Sequence, residues 1–239
     1  MKVVQSVADA LGDSSYLVVG AGVAAAVDPQ RDIRPLLKAA ADHGASIEYV
    51  FETHVHNDYL SGARELAERG AKVVVPAQSG FEFPHLPLAD GDEISFGGVS
   101  MRALLTPGHT YHHTSYLGAD SDGKVRGAFT GGALLMASAG RSDLLGPEHT
   151  QELTRMQWES ARRIGHALSP EAEILPTHGA GSFCTSTGGT GERRGPLAVE
   201  FGRNPALTTG SFEDFAAIHL AALAPIPGYS CACGGLPLR

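Results

Sequence analysis

Thr53-His54-Val55-His56-Asn57-Asp58-Tyr59 decides how this chain is read. The apolar run Ile47-Glu48-Tyr49-Val50-Phe51 before it reads as a buried strand, and a helical pattern begins near Ser61 after it. His54, His56 and Asp58 therefore fall on a loop at a strand end, where open α/β sheets carry their chemistry. In extended backbone, residues two apart point the same way, so both imidazoles and the carboxylate can face one cation. A polar loop with two solvated histidines is the bland alternative. Two His and one Asp at alternate positions after a strand fit metal chemistry better.

The same pattern recurs downstream. Thr106-Pro107-Gly108-His109-Thr110 follows another apolar strand, and Pro107-Gly108 force a turn that leaves His109 at a strand end. His54, His56 and His109 together make a three-imidazole set with the fourth tetrahedral position open, as in catalytic zinc sites. His178, in Leu175-Pro176-Thr177-His178-Gly179, reads as a second-metal ligand, a proton donor or a hydrogen-bonded loop histidine. Of His112 and His113, one is expected to face the site, and His113 is carried forward as the additional candidate. His43, His85, His149, His166 and His219 read as structural or exposed.

The 239 residues suffice for one large core, and 43% hydrophobic with 18% charged residues is ordinary globular composition. A net charge of −8 argues against a nucleic-acid partner, which needs a basic face. No apolar run approaches the ~20 residues of a membrane span, so no membrane partner is expected. Three cysteines, Cys184, Cys231 and Cys233, are no disulfide framework and point to a reducing cytoplasm.

Residues 3–27 read as three strands split by Gly and Ser, and Asp28-Pro29 closes the third. Helices are expected from Ile33 to His43-Gly44, after Ser61, over Pro147–Leu168 and over Phe212–Leu223; strands fill most of 72–76, 94–130 and 172–176. The long helix should bury Leu153, Met156, Ala161, Ile164 and Leu168. Strands and helices followed by strands and helices again predict an α/β fold, a four-layer αββα sandwich. Residues 1–185 are expected to form the catalytic core and 186–239 a loop, helix and tail completing it.

The chain resembles the metallo-β-lactamase superfamily, in the branch that holds glyoxalase II and persulfide dioxygenases. The resemblance rests on Thr53 to Tyr59, Thr106 to Thr110, Phe129-Thr130-Gly131-Gly132, Gly140-Arg141-Ser142-Asp143 and His178-Gly179-Ala180-Gly181-Ser182. It implies a metalloenzyme acting on a persulfide or thioester of a small thiol such as glutathione. Asn204-Pro205-Ala206-Leu207 resembles members fused to a rhodanese domain. No rhodanese domain lies within residues 1–239, and a rhodanese-type sulfurtransferase and a second copy of the chain are the protein partners expected.

Two departures from the family pattern shape the expected site. Tyr59 stands where the family has a second-metal His, and Gly132 where it has a bridging Asp. One divalent ion is therefore expected, Zn or Fe(II). The dioxygenase triad of the family maps to His54, His109 and position 132, with Asp58 or a water in place of the missing carboxylate. A site of histidines alone suits zinc and hydrolysis better. On this reading Gly132→Asp tightens metal retention, Asp58 is the general base or water orienter and His178 the candidate acid. A non-catalytic sulfur carrier is the reading from another class.

For substrate, the resemblance implies that Arg141 contacts glutathione, as a guanidinium grips a carboxylate in two bonds. The alternative is an Arg141–Asp143 surface pair. Cys184, six residues after His178, is either a sulfur-accepting thiolate beside the pocket or a buried inert thiol. Tyr59 could hydrogen-bond substrate or metal-bound water, or simply fill space. Cys231-Ala232-Cys233 is too short for a zinc site.

Overall fold

The computed structural model describes residues 1–186 and 191–225. Strand β2 (Asp13–Val19) shows why the chain stacks in layers: all seven of its residues are buried, so both faces are covered. Tyr16 and Val18 point one way and Leu17 and Val19 the other, as period-two geometry requires.

Two six-stranded sheets result. In the first, β1 (Lys2–Ala8), β2, β3 (Val23–Val27), β4 (Ser46–Phe51), β5 (Lys72–Pro76) and β6 (Leu86–Leu88) lie in chain order. The first three are antiparallel and the pairings from β3 to β6 are parallel. The second sheet runs β12 (Gly195–Pro196), β11 (Glu173–Pro176), β10 (Val125–Gly131), β9 (Thr114–Ala119), β8 (Val99–Leu105), β7 (Glu93–Phe96). Its β10–β11 pair is parallel and its other pairs are antiparallel.

Three apolar clusters correspond to the three interfaces of a four-layer αββα sandwich. Between the sheets, Tyr16, Val18, Phe51 and Val74 meet Met101, Tyr116, Phe129 and Leu175. Outside the first sheet, Leu36 and Ala40 of α1 (Arg34–Asp42) and Ala63 and Leu66 of α2 (Ala63–Ala67) cover Leu17, Ala24, Val50 and Val73. Outside the second, α3 (Pro147–Ala167), α4 (Leu197–Arg203), α5 (Pro205–Thr208) and α6 (Phe212–Ala221) set Ala161, Ile164, Leu197, Ala206 and Phe215 against Leu117, Ala128 and Ile174.

The expected α/β layering is what the chain adopts, and the differences are local. Met156 is half-buried and Gln157 takes the fully buried place on α3. Leu86-Pro87-Leu88, expected as loop, is an edge strand, where proline's missing N–H is tolerated. Helices α4 and α5 come from a stretch with too few apolar repeats to announce them; the Asn204 side chain accepts from Ala206 N and starts α5. Cys231 and Cys233 lie outside the described residues. Among the described residues no helix is long and apolar enough to cross a membrane.

Strand ends from both sheets meet at one rim. The backbone stitches them there: Thr114 N donates to Thr53 O (2.8 Å), Ser14 N to Thr177 O (2.8 Å) and Thr177 N to Gly131 O (3.1 Å).

Candidate metal centre

Asp28, at the end of β3, is the anchor beneath the loop. Its backbone sits in the left-handed region (φ 46°), and its N–H donates to Phe51 O at 2.9 Å. Its carboxylate accepts from Thr53 N and Thr53 Oγ1, both at 2.7 Å, and from Thr177 Oγ1. One buried charge thus ties the ends of β4 and β11 together.

That anchor fixes the first imidazole. The single hydroxyl hydrogen of Thr53 goes to Asp28, so its oxygen accepts from His54 Nδ1–H at 2.8 Å. His109 Nδ1–H donates to Arg141 O at 2.7 Å, and His178 Nδ1–H to Asp13 Oδ1 at 3.0 Å. Each ring thereby turns its Nε2 inward, the arrangement that outer hydrogen bonds impose on metal-binding histidines. His54 Nε2 and His178 Nε2 are 3.2 Å apart, and His54, His109 and His178 each bring a ring nitrogen within 4.8 Å of the others. Ligands at 2.0–2.1 Å from a tetrahedral zinc lie roughly 3.3 Å apart, so the spacing fits one ion. All three side chains are buried.

His56 stands beside His54, ring centroids 4.2 Å apart, and faces differently. Its Nε2 lies 3.3 Å from Asp28 Oδ1, 3.1 Å from Glu52 Oε2 and 3.1 Å from the Tyr59 hydroxyl, which itself donates to Asp28 O. Its Nδ1 is buried with no hydrogen-bond partner. His56 groups with Asp28 and His54, and with Asp58 and His178, but the expected trio of His54, His56 and His109 is not among the described groups whose ligand atoms all converge. His178 takes the third place beside His54 and His109.

Electrostatics sorts these rings. Burial, then the neighbouring imidazoles, hold His54 and His109 well below the ordinary histidine range, so both are neutral and ready to bind a cation. Burial opposes charge on His56 too, but Asp28 and Glu52 outweigh it and raise its pKa well above normal. His178 is likewise raised against burial, to about 9, by Asp58 and Asp13. Asp58, 3.2 Å from His178 Nδ1, is held low by that charge despite its burial. No group donates a well-directed hydrogen bond to either Asp58 oxygen.

A model of the metallo-beta-lactamase superfamily matches residues 4–179. The chain belongs to that superfamily. It is 30% identical over 225 residues to a hydroxyacylglutathione hydrolase of Acidiphilium cryptum, covering 87% of this chain and 90% of that protein. In shape it is similar to a metallo-beta-lactamase from Staphylococcus aureus (TM-score 0.89, 26% identity, 99% of this chain and 72% of that one). It is similar as well to ETHE1 from Myxococcus xanthus (TM-score 0.81, 27% identity, 98% and 96%). The buried His/Asp cluster and the superfamily together support binding of a divalent cation.

Within this metallo-β-lactamase fold, position 132 explains the missing carboxylate sterically. A Cβ built on Gly132 would meet the His109 ring, at 2.6 Å from Cγ and closer still to Cδ2. The surrounding backbone is pinned. Gly132 N donates to His113 Nε2 (2.9 Å), and Gly132 O accepts from Gly140 N (2.9 Å) and Gln157 Nε2 (2.8 Å). His109 occupies the space a side chain at 132 would need. His113 holds this turn with Nε2 while its Nδ1–H donates to Thr106 Oγ1 (2.9 Å), so both of its nitrogens are engaged.

Arg141 is fully buried. Its guanidinium forks onto Asp143 (2.7 and 2.9 Å) and donates to Phe183 O and Ala224 O. Cys184 is also buried, and burial, then Asp58 and Asp13, push its thiol well above the ordinary range. Tyr59 stacks on His56 and lines a cavity of about 340 Å³ with Val7, Leu11, Gln30, Arg31 and Leu60. Sequence reasoning missed Asp13, Asp28, Glu52 and Gln157. Asp28 alone carried a signal, an acid at a strand's end, and it reads there as a turn residue.

Proposed function

We propose that the chain is a mononuclear metalloenzyme that hydrolyses a thioester of a small thiol such as glutathione, with zinc as its cation. One observation carries the reading: three imidazoles from three separate strand ends, each backed at Nδ1, turn Nε2 toward a common point without a carboxylate among them. His54, His109 and His178 would hold the ion and leave the fourth tetrahedral position open. A cation there supplies Lewis acidity and brings the pKa of a coordinated water to ~7.

The chain's own groups do the rest. Asp58, buried beside the cluster and ionised, accepts a proton at its carboxylate from the attacking water. His178 thereby moves from expected acid to ligand. Burial of the cluster excludes bulk water. Tyr59 packs on His56 beside the cluster, while Arg141 and Cys184 shape the loop behind His109. The hydroxyacylglutathione hydrolase relative, matched along 90% of its length, supports the thioester.

A second reading, persulfide oxidation with Fe(II), is favoured by the likeness to ETHE1 along 98% of the chain. Assaying protein purified without added metal separates them. Zinc with cleavage of a glutathione thioester supports the hydrolase. Stoichiometric iron with oxygen uptake on glutathione persulfide selects the dioxygenase, and neither metal nor turnover selects a sulfur carrier.

A further inference from the structure

We infer that Asp13 is a positioning residue for His178, and that by accepting the ring's Nδ1–H it leaves the Asp58 carboxylate free for the reaction. The inference deepens the reading above and rests on it for the role of His178.

Asp13 opens β2, is completely buried, and comes from the opposite sheet to His178. Backbone hydrogen bonds flank the pair on both sides: Ser14 N to Thr177 O at 2.8 Å and Gly179 N to Gly12 O at 3.0 Å. Arg193 adds a donor to Gly12 O at 2.7 Å. Gly12 (φ 74°) permits this approach, since a Cβ there would strike the backbone of residues 180–182. The main chain alone thus holds Asp13 opposite His178, whatever the side chain at 13.

Two carboxylates compete for one N–H. Asp13 Oδ1 lies 3.0 Å from His178 Nδ1 with hydrogen-bond geometry, whereas Asp58 Oδ2 lies 3.2 Å away and makes only an ion-pair contact. Because Asp13 takes the directed hydrogen bond, the ring is locked with Nε2 toward His54 at 3.2 Å, and Asp58 keeps only its ion-pair contact with the ring. A carboxylate behind a histidine fixes its tautomer and orientation and typically matters 10–100-fold for metal affinity or activity. Without Asp13 the ring is no longer locked: part of the population keeps the Nδ1–H by donating it to Asp58, which withdraws that carboxylate, and the rest takes the other form.

The test compares Asp13→Ala and Asp13→Asn with the wild type by ¹⁵N NMR of the histidine side chains, first without metal and then with zinc. The expected result, at a pH high enough for the metal-free ring to be neutral, is a single His178 form with hydrogen on Nδ1 in the wild type and a mixture of forms in Asp13→Ala. Thioesterase kcat should fall roughly 10–100-fold with KM nearly unchanged. Asp13→Asn, whose amide oxygen still accepts, should keep the Nδ1–H form and recover part of the activity. An unchanged His178 spectrum in Asp13→Ala, or wild-type kcat in that variant, overturns the inference. Wild-type protein that binds no metal overturns the functional reading instead, and the metal-free spectra still report on Asp13. Thermal unfolding of both variants serves as the control for folding.

Discussion

The two sheets bring their histidines to the rim by different means. On the first sheet, the His54–His56 loop is backed by charge: Asp28 and Glu52 are buried beneath it and hold Thr53 and His56. On the second, His109 is backed by a main-chain carbonyl, and shape governs its surroundings, with its ring packed against Gly132. The contrast explains the division of properties. Where carboxylates back a ring it stays charged when no cation is near, as at His56 and, on the second sheet, at His178; the carbonyl behind His109 leaves that ring neutral.

Breaking the charged side should cost most. Asp28→Ala leaves Thr53 N and two threonine hydroxyls without their acceptor in a dry interior and takes one of two carboxylates from the His56 imidazolium. Loss of about 3–5 kcal/mol of stability is expected, read by urea unfolding. A loss below about 1 kcal/mol would mean the anchor is dispensable.

Away from both halves, His219 gives a control of similar size. It packs on Phe215 in α6, and burial lowers its pKa to about 4. Unfolded histidine titrates near 6.5, so between about 6.5 and 4 the unfolded state binds the extra proton and stability falls as pH falls. The loss should reach about 3 kcal/mol, and His219→Gln should flatten that part of the stability–pH curve.

Disturbing the shape-governed side should cost less in folding and more in metal. Gly132→Asp forces the His109 ring to shift, so about 1–3 kcal/mol of overpacking is expected together with weaker metal retention. Elemental analysis showing tighter binding or a second ion in that variant would refute the steric account. Smallest is Tyr59→Phe: one hydroxyl joining Asp28 O and His56 is removed, for about 1 kcal/mol by thermal unfolding.

Much of this was legible in the chain. Strand ends at His54, His109 and His178 follow from apolar runs cut by polar or Pro-Gly breaks, and the order of elements carries the sandwich. The facing of each ring was not legible. Alternation places His54 and His56 on one side of an extended strand, but the loop leaves the extended form after Phe51, and the two rings point to different partners. Asp13 and Glu52 act through contacts across layers or turns that spacing does not encode. Arg141 matched a recognised motif, yet its fork closes on Asp143 two residues away. Gly132 was legible as an absence; that His109 fills the gap needed three dimensions.

The number of divalent ions bound per chain, measured by elemental analysis of protein purified without added metal, bears most directly on the claim that these histidines surround one cation. One ion per chain, lost in both His54→Ala and His109→Ala, is the result this account predicts. Two ions per chain, or one that survives both substitutions, would contradict it.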